Sequence, residues 1–230
     1  MKKNDDPKVL YSKNQSTDSL IQLFQDKLTP ERKERLDAII ANRSRHFTLV
    51  LEDLKDPHNI SAVIRTSEVF GFQDVHIIEE LNAYSVSKQI LKGSFKWLSL
   101  MRYKSRLRCM QNLREKGYQI AVASTNTQTP LREVDFSKPT AFYMGSESLG
   151  NHPETLKQAD VHFFIPQYGV TESMNVSVCA GVLMSTLRNW MEDSKKDYGL
   201  SDSEIKTLRG DFYQRSVLGV EVNSPLSFVE

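Results

Sequence analysis

An α/β fold with a mostly parallel sheet, helices on both faces and short helical extensions at both ends is what this sequence predicts, on three observations. Apolar runs of four to six residues recur along the chain, too short for helices. Helix-length stretches separate them, so successive strands need crossovers, and crossovers impose parallel pairing with right-handed connections. Gly71 and Gly117 stand where two of the intervening helices should stop. A length of 230 residues suits one large core with appendages.

Residues 17–43 read as two short helices. Thr17-Asp18-Ser19 offers a cap for the first, and Thr29-Pro30-Glu31 gives the second a cap, a proline at the first helical position and an early acid. Phe47–Leu51 is a buried-strand run, and Asp56-Pro57-His58-Asn59 leads into a helix over about Ile60–Phe70. Val75–Ile78 and Trp97–Leu100 read as the next strands, followed by a helix over about Ser105–Lys116. Strands are then expected at Tyr118–Ala123, Thr140–Met144 and Val161–Ile165, with a helix near Glu154–Gln158 between the last two. A long helix over about Asn175–Met191 follows, and residues 201–230 read as one charged helix and an apolar tail that docks on a surface or partner.

A composition of 39% hydrophobic and 26% charged residues excludes disordered and collagen-like classes. No run approaches the ~18 to 20 apolar residues of a membrane span. The first residues, Met1 to Pro7, lack the apolar region of a secretory signal. Cys109 and Cys179 lie far apart in sequence with no metal-ligand spacing, which argues against a disulfide framework and structural zinc and fits a reducing cytoplasm.

Net charge is +1, yet the distribution is uneven. Leu81–Arg114 holds the cations Lys88, Lys92, Lys96, Arg102, Lys104, Arg106, Arg108 and Arg114 and no acid, interleaved with Tyr84, Phe95, Trp97 and Tyr103. Cations mixed with stacking surfaces suit RNA. A solvated face whose aromatics belong to the core is the competing reading. A second cluster, Arg32, Lys33, Arg35, Arg43 and Arg45, is diluted by Glu31, Glu34 and Asp37.

In parallel sheets ligands lie beyond the carboxyl ends of the strands. Three such loops are conspicuous: Asp56–Thr66, Gly145-Ser146-Glu147-Ser148-Leu149-Gly150, and Pro166–Ser177. Singly, each residue has a plain explanation. Asn59 and Ser61 are good helix caps, Arg65 faces away from the Ile60/Val63/Ile64 stripe and pairs with Glu68, Ser173 or Asn175 caps the last helix, and Gly145, Gly150 and Gly169 are turn glycines.

Taken together, Asn59-x5-Arg65, Gly145-x-Glu147-x2-Gly150 and Ile165-Pro166-x2-Gly169-x3-Ser173-x-Asn175-Val176-Ser177 resemble the three signature motifs of the SPOUT superfamily, and among them the TrmH family of RNA ribose 2′-O-methyltransferases. The resemblance covers about residues 47–191 and extends to Gly93–Trp97 and Arg132–Thr140. Ser146 stands where the family often has Asn or Ala, and Met174 where it often has Leu.

The resemblance implies a catalytic domain over residues 47–192 with a C-terminal trefoil knot, flanked by helical RNA-binding extensions at 1–46 and 193–230. It implies S-adenosylmethionine as methyl donor, held by Met144, Gly145, Gly150, Ile165, Gly169 and Met174, and a homodimer with a shared active site. Arg65 carries over as the catalytic arginine, with Asn59 holding it or the nucleotide, Glu147 orienting an arginine or binding the ribose, and Ser173 and Asn175 fixing the loop. Guanidinium stays charged at neutral pH, so Arg65 suits positioning, with water or a phosphate oxygen competing to take the proton. The short front extension points to tRNA, with Arg32, Arg35, Arg43, Lys92 and Lys96 as RNA contacts and a D-loop guanosine ribose, position 18, as target. Ribosomal RNA or a tRNA wobble nucleotide is the alternative substrate, and a non-catalytic RNA-binding factor the more distant one. The partner is RNA, not DNA or a membrane.

Overall fold

The computed structural model describes residues 16–124, 127–171, 173–219 and 227–228, which divide into two compact units. The larger unit runs from Ser44 to Tyr198 and is built on β1 (Phe47–Glu52), β2 (Asp74–Ile78), β3 (Ser99–Tyr103), β4 (Gln119–Ala123), β5 (Thr140–Met144) and β6 (Val161–Phe163), with a two-residue strand β7 (Ser227–Phe228) at one edge. The order is β6-β4-β5-β1-β2-β3-β7, and every neighbouring pair is parallel. All strands therefore end on one edge of the sheet, which is where the site lies.

The helices of this unit are α3 (Pro57–Val69), the short α4 (Lys88–Leu91), α5 (Arg106–Glu115), α6 (Pro153–Gln158) and α7 (Val176–Asp193). Strand alternation sends Val50, Ile120, Val122, Ala141 and Tyr143 to the face covered by Cys109, Met110 and Leu113 of α5. Phe47 and Phe142 point to the opposite face, where their rings meet Phe136, and Phe47 and Phe136 pack edge-on against Trp190 of α7. The sheet is thus helix-covered on both faces, as the sequence predicts.

Boundaries differ in instructive places. Asp56, not Asn59, caps α3: its Oδ1 accepts from His58 N at 2.8 Å, and Pro57 occupies the first helical position. Ser61 lies inside that helix, donates to Pro57 O at 2.6 Å and accepts from Ser87 N at 2.7 Å. β3 begins two residues later than expected, because Lys92 and Gly93 both adopt positive φ (45° and 78°) and wind Ser94–Trp97 into a 3-10 turn. β6 stops at Phe163, two residues early. At the front, Ser16 caps α1 by accepting from Ser19 N.

The smaller unit holds α1 (Thr17–Gln25), α2 (Pro30–Ala41) and α8 (Asp202–Leu218), packed around Phe24, Leu36, Ile40, Leu208, Phe212 and Tyr213. Arg209 Nε donates to Asp37 Oδ1 at 2.8 Å, tying α8 to α2. A capping box, Ser201 with Glu204, starts α8. The expected apolar tail falls mostly outside the described residues. No helix among the described residues is long and apolar enough to cross a membrane.

Candidate active site

Two of the three polar loops and the start of α3 meet in one hydrogen-bonded relay. Asn59 sits in the first turn of α3, and its Nδ2 donates to Glu147 Oε1 at 2.9 Å. Asn175 Nδ2 in turn donates to Asn59 Oδ1 at 3.0 Å. Asn175 Oδ1 caps α7, accepting from Ser177 N at 2.8 Å, Ser177 Oγ at 2.5 Å and Val178 N at 3.4 Å. One amide side chain, 7% exposed, therefore couples residues 88 and 116 positions away. A cap alone would explain none of this.

Glu147 is held in its ionised form. Partial burial pushes its carboxyl up, but the Asn59 amide and the backbone N–H groups of Glu147, Lys55 and Asp56 outweigh that and leave it below the usual carboxylate range. Its Oε2 accepts from Lys55 N at 3.3 Å.

Gly145 follows Met144, the buried last residue of β5, and a Cβ there would lie 2.2 Å from both Asn151 N and Gly150 C. Glycine is demanded by the loop's own closure, in which Ser146 N donates to Gly150 O at 3.0 Å and Gly150 N to Ser146 O at 2.8 Å. Gly150 takes φ 70°, the left-handed region. Gly169 meets only Thr171 N, at 4.0 Å, so nothing in the packing requires glycine there.

A cleft of about 470 Å³ opens beside the relay. Ile165, Ser173 and Met174 line it, as does Cys179 of α7, whose thiol burial pushes up to about 11. The cleft also uses Ala123, Ser124, Thr127, Gln128, Phe164 and Gln167. The segment after β4 escaped the sequence reading because strand order is invisible there; once β4 is seen between β5 and β6, its end belongs to the same crevice.

Arg65 lies elsewhere. It is exposed on α3, six residues or ~9 Å along the axis from Asn59. Among the described residues it makes no hydrogen bond or ion pair, so the expected pairing with Glu68 is absent.

The basic stretch is largely neutralised by acids from outside it. Arg102 donates to both Glu79 oxygens at 2.9 and 2.8 Å, Lys104 pairs with Glu79, Arg106 with Glu52, Asp53 and Glu80, and Arg114 with Asp160. Phe95 and Tyr103 are core residues. Lys88 and Lys92 remain exposed, and Lys96 Nζ lies 4.7 Å from the Trp97 ring centre. In the smaller unit Arg35 is exposed, and half-buried Arg32 donates through Nε to Ser216 Oγ at 3.0 Å. Arg43 corrects the expectation: it is 1% exposed with its guanidinium 5.9 Å from the Phe212 ring, which removes it as a phosphate contact.

Residues 46–185, over half the chain, match the model of the SpoU rRNA methylase family. The chain belongs to that family. Among its SpoU relatives, the tRNA (guanosine(18)-2′-O)-methyltransferase of Borreliella burgdorferi is 34% identical over 191 residues, covering 83% of this chain and 88% of that protein. The crystal structure of the Aquifex aeolicus TrmH/SpoU tRNA modifying enzyme matches with a TM-score of 0.73 at 27% identity, over 82% of this chain and 97% of the other. The AdoMet-bound rRNA methyltransferase of Sinorhizobium meliloti shares the fold, with a TM-score of 0.59 at 23% identity over 68% of this chain and 60% of that one.

Proposed function

We propose that this SpoU-family chain transfers a methyl group from S-adenosylmethionine to the ribose 2′-hydroxyl of a guanosine in the tRNA D-loop, position 18. The observation that carries the reading is the Glu147–Asn59–Asn175 relay, which gathers the three motifs beside a donor-sized cleft. The match over 88% of the Borreliella tRNA methyltransferase supports the substrate.

The cleft fits the donor. Its volume of about 470 Å³ lies within the range of small-molecule sites, Phe164, Ile165 and Met174 offer apolar walls, and Ser124, Thr127, Gln128, Gln167 and Ser173 offer polar ends. When bound, the donor supplies an electrophilic methyl on a sulfonium. The protein's part is to bring the ribose oxygen in line and let its proton leave. Arg65, exposed and uncommitted within the described residues, grips an adjacent phosphate and sets the sugar. As the new carbon–oxygen bond forms, the hydroxyl proton passes to water or a phosphate oxygen, because guanidinium has no acceptor lone pair to offer. The ionised Glu147, anchored by Asn59, fixes the loop on which the sugar rests.

A homodimer completes the site. Val178 and Val182 on one face of α7 are 54% and 39% exposed, and Tyr168 and Val170 stand almost fully in solvent, an apolar surface that suits a second copy. A C-terminal trefoil knot is part of this reading, as the family resemblance implies; Asn175, which follows the edge strand β6, returns to bond Asn59 in the helix after β1. The helices outside residues 47–192 serve as RNA-binding extensions.

The test is incubation of purified protein with labelled donor and unmodified tRNA transcript, followed by nuclease mapping. Label on the ribose of guanosine 18 is expected. Label confined to ribosomal RNA or to a wobble nucleotide would replace this substrate, and failure to bind the donor at all would favour a non-catalytic RNA binder.

A further inference from the structure

Three hydroxyls on α3 turn back on their own helix. Ser61 Oγ donates to Pro57 O at 2.6 Å, Thr66 Oγ1 to Ala62 O at 2.8 Å and Ser67 Oγ to Val63 O at 2.9 Å. Such a bond satisfies a hydroxyl inside a helix and needs no further reason. Of the three, only Ser61 also accepts a backbone N–H from another element among the described residues, that of Ser87 at 2.7 Å. Ser61 is wholly buried, so water offers that bond no ready substitute.

A short basic segment begins at Ser87. α4 spans four residues, its cap residue Ser87 makes no side-chain hydrogen bond to it, and so short a helix does not hold itself. Anchors in other elements set its place. Ser61 takes the first amide, Leu91 is fully buried, and at the far end Gln73 Nε2 donates to Trp97 O at 3.3 Å. Between them Ser94 Oγ donates to Leu91 O at 2.7 Å, and α4 and the 3-10 turn after it both pack against α3. What this framework presents outward is charge. Lys88 and Lys92 are exposed, Lys96 is half-buried beside Trp97, and the sequence from Leu81 to Arg114 holds no acid.

Arg65 follows Ser61 by four residues, so it lies ~6 Å further along the same face of α3, and it is exposed. We infer that Ser61 is a positioning residue for the RNA strand. Through Ser87 it holds the α4 lysines at a fixed offset from Arg65, so that a strand whose phosphates lie on α4 brings the target ribose to the arginine. Phosphate contacts of this kind carry no sequence information but set the register of a bound strand. The inference rests on ribose methylation of tRNA and adds how one buried hydroxyl aligns the substrate. The competing role is a serine that stabilises the fold and does nothing for RNA.

Ser61→Ala removes the acceptor. Ser67→Ala is its control, an equally buried hydroxyl on the same helix whose second neighbour is Met184 Sδ at 3.4 Å, not α4. Both should lower the melting temperature. Affinity for an unmodified tRNA transcript, read by fluorescence anisotropy across a salt series, separates them. Ser61→Ala should lose about tenfold and lower the slope of log affinity against log salt by about 1–2, with KM for tRNA rising and kcat changing less than about twofold, while Ser67→Ala matches the wild type. In a background of Lys88→Gln, Lys92→Gln and Lys96→Gln, Ser61→Ala should cost no further affinity, because the cations it places are gone. Should Ser61→Ala fail to fold, Ser87→Pro deletes the same bond from the donor side, at a residue whose φ of −89° is near the proline range, and must give the same loss. Wild-type affinity and slope in the folded variant, or an equal loss in the lysine-free background, would overturn the inference. A wild type that binds tRNA but methylates nothing would sink the proposed reaction and leave these affinities to decide on Ser61, and a wild type that binds no tRNA would refute both.

Discussion

Asn59 concentrates the chemistry of the site in one side chain. Its amide gives one hydrogen to Glu147 and accepts one from Asn175, so an alanine there leaves two polar groups without their partner. Asn59→Ala should cost about 1–3 kcal/mol of stability by thermal or urea unfolding. Asn59→Asp should be worse at neutral pH, because it sets a second carboxylate against an ionised Glu147, and should recover partly near pH 4; equal losses at both pH values would show that the two groups do not interact. Arg65→Ala should abolish turnover with donor affinity unchanged by calorimetry, as expected for a side chain exposed on α3 and outside the donor cleft. Read singly, Asn59 passes for a cap, and the family resemblance has it hold Arg65 or the nucleotide; the structure shows its amide bonded to Glu147 and Asn175. The position of Asp56, three residues earlier and already capping, removes the cap's role.

Elements followed local signals where punctuation was strong and slipped where backbone conformation intervened. Thr140–Met144 is found with its predicted limits, and Ser105 and Gly117 bracket α5 as expected. β3 shifted because left-handed Lys92 is a conformation that no side-chain pattern announces. The basic stretch shows the same limit for charge: sequence windows cannot see Glu52, Glu79 and Asp160 arriving from other elements. What survives is the α4 segment, and replacing Lys92 and Lys96 together by Gln should weaken tRNA binding and lower the slope of log affinity against log salt by about 1–2. An unchanged slope would return both to plain surface. In α8, loss of the capping box through Ser201→Ala should cost about 1 kcal/mol.

Across the whole molecule, layer order and parallel pairing were readable from strand length and spacing, whereas strand order, and with it the β4 contribution to the cleft, was not. Acid sensitivity is likewise a property of the assembled core. His76 is buried against Tyr103, its Nδ1 3.0 Å from the phenol oxygen, and burial, helped by the charge of Lys116, pushes its imidazole down to about 3. Burial also lowers His46, against a hydrogen bond from its ring to Phe136 O. A lowered histidine contributes stability that is complete above its unfolded value near 6.5 and is lost as pH falls through the folded value. Glu52 and Asp74, raised by burial, act in the opposite sense, their contribution being complete at low pH and lost on raising it. Replacing His76 by Asn should therefore flatten the acid limb of stability below pH 6.5 by about 1.4 kcal/mol per pH unit, and an unaltered limb would show that the ring titrates normally. The proposed homodimer should sediment as a dimer in analytical ultracentrifugation and Val178→Asp with Val182→Asp as a monomer; a monomeric wild type would overturn that proposal.

Asn151, which follows the Gly145–Gly150 loop, lines a second pocket of about 230 Å³ beside Arg106, while its Nδ2 donates at 3.1 Å to Ala123 O, in the wall of the neighbouring cleft. A single strut thus braces two chambers back to back. Substitutions at this residue will therefore disturb the Gly145–Gly150 loop and the cleft together, whereas changes at Thr127 or Gln128 leave the partition standing and give an engineer one variable at a time.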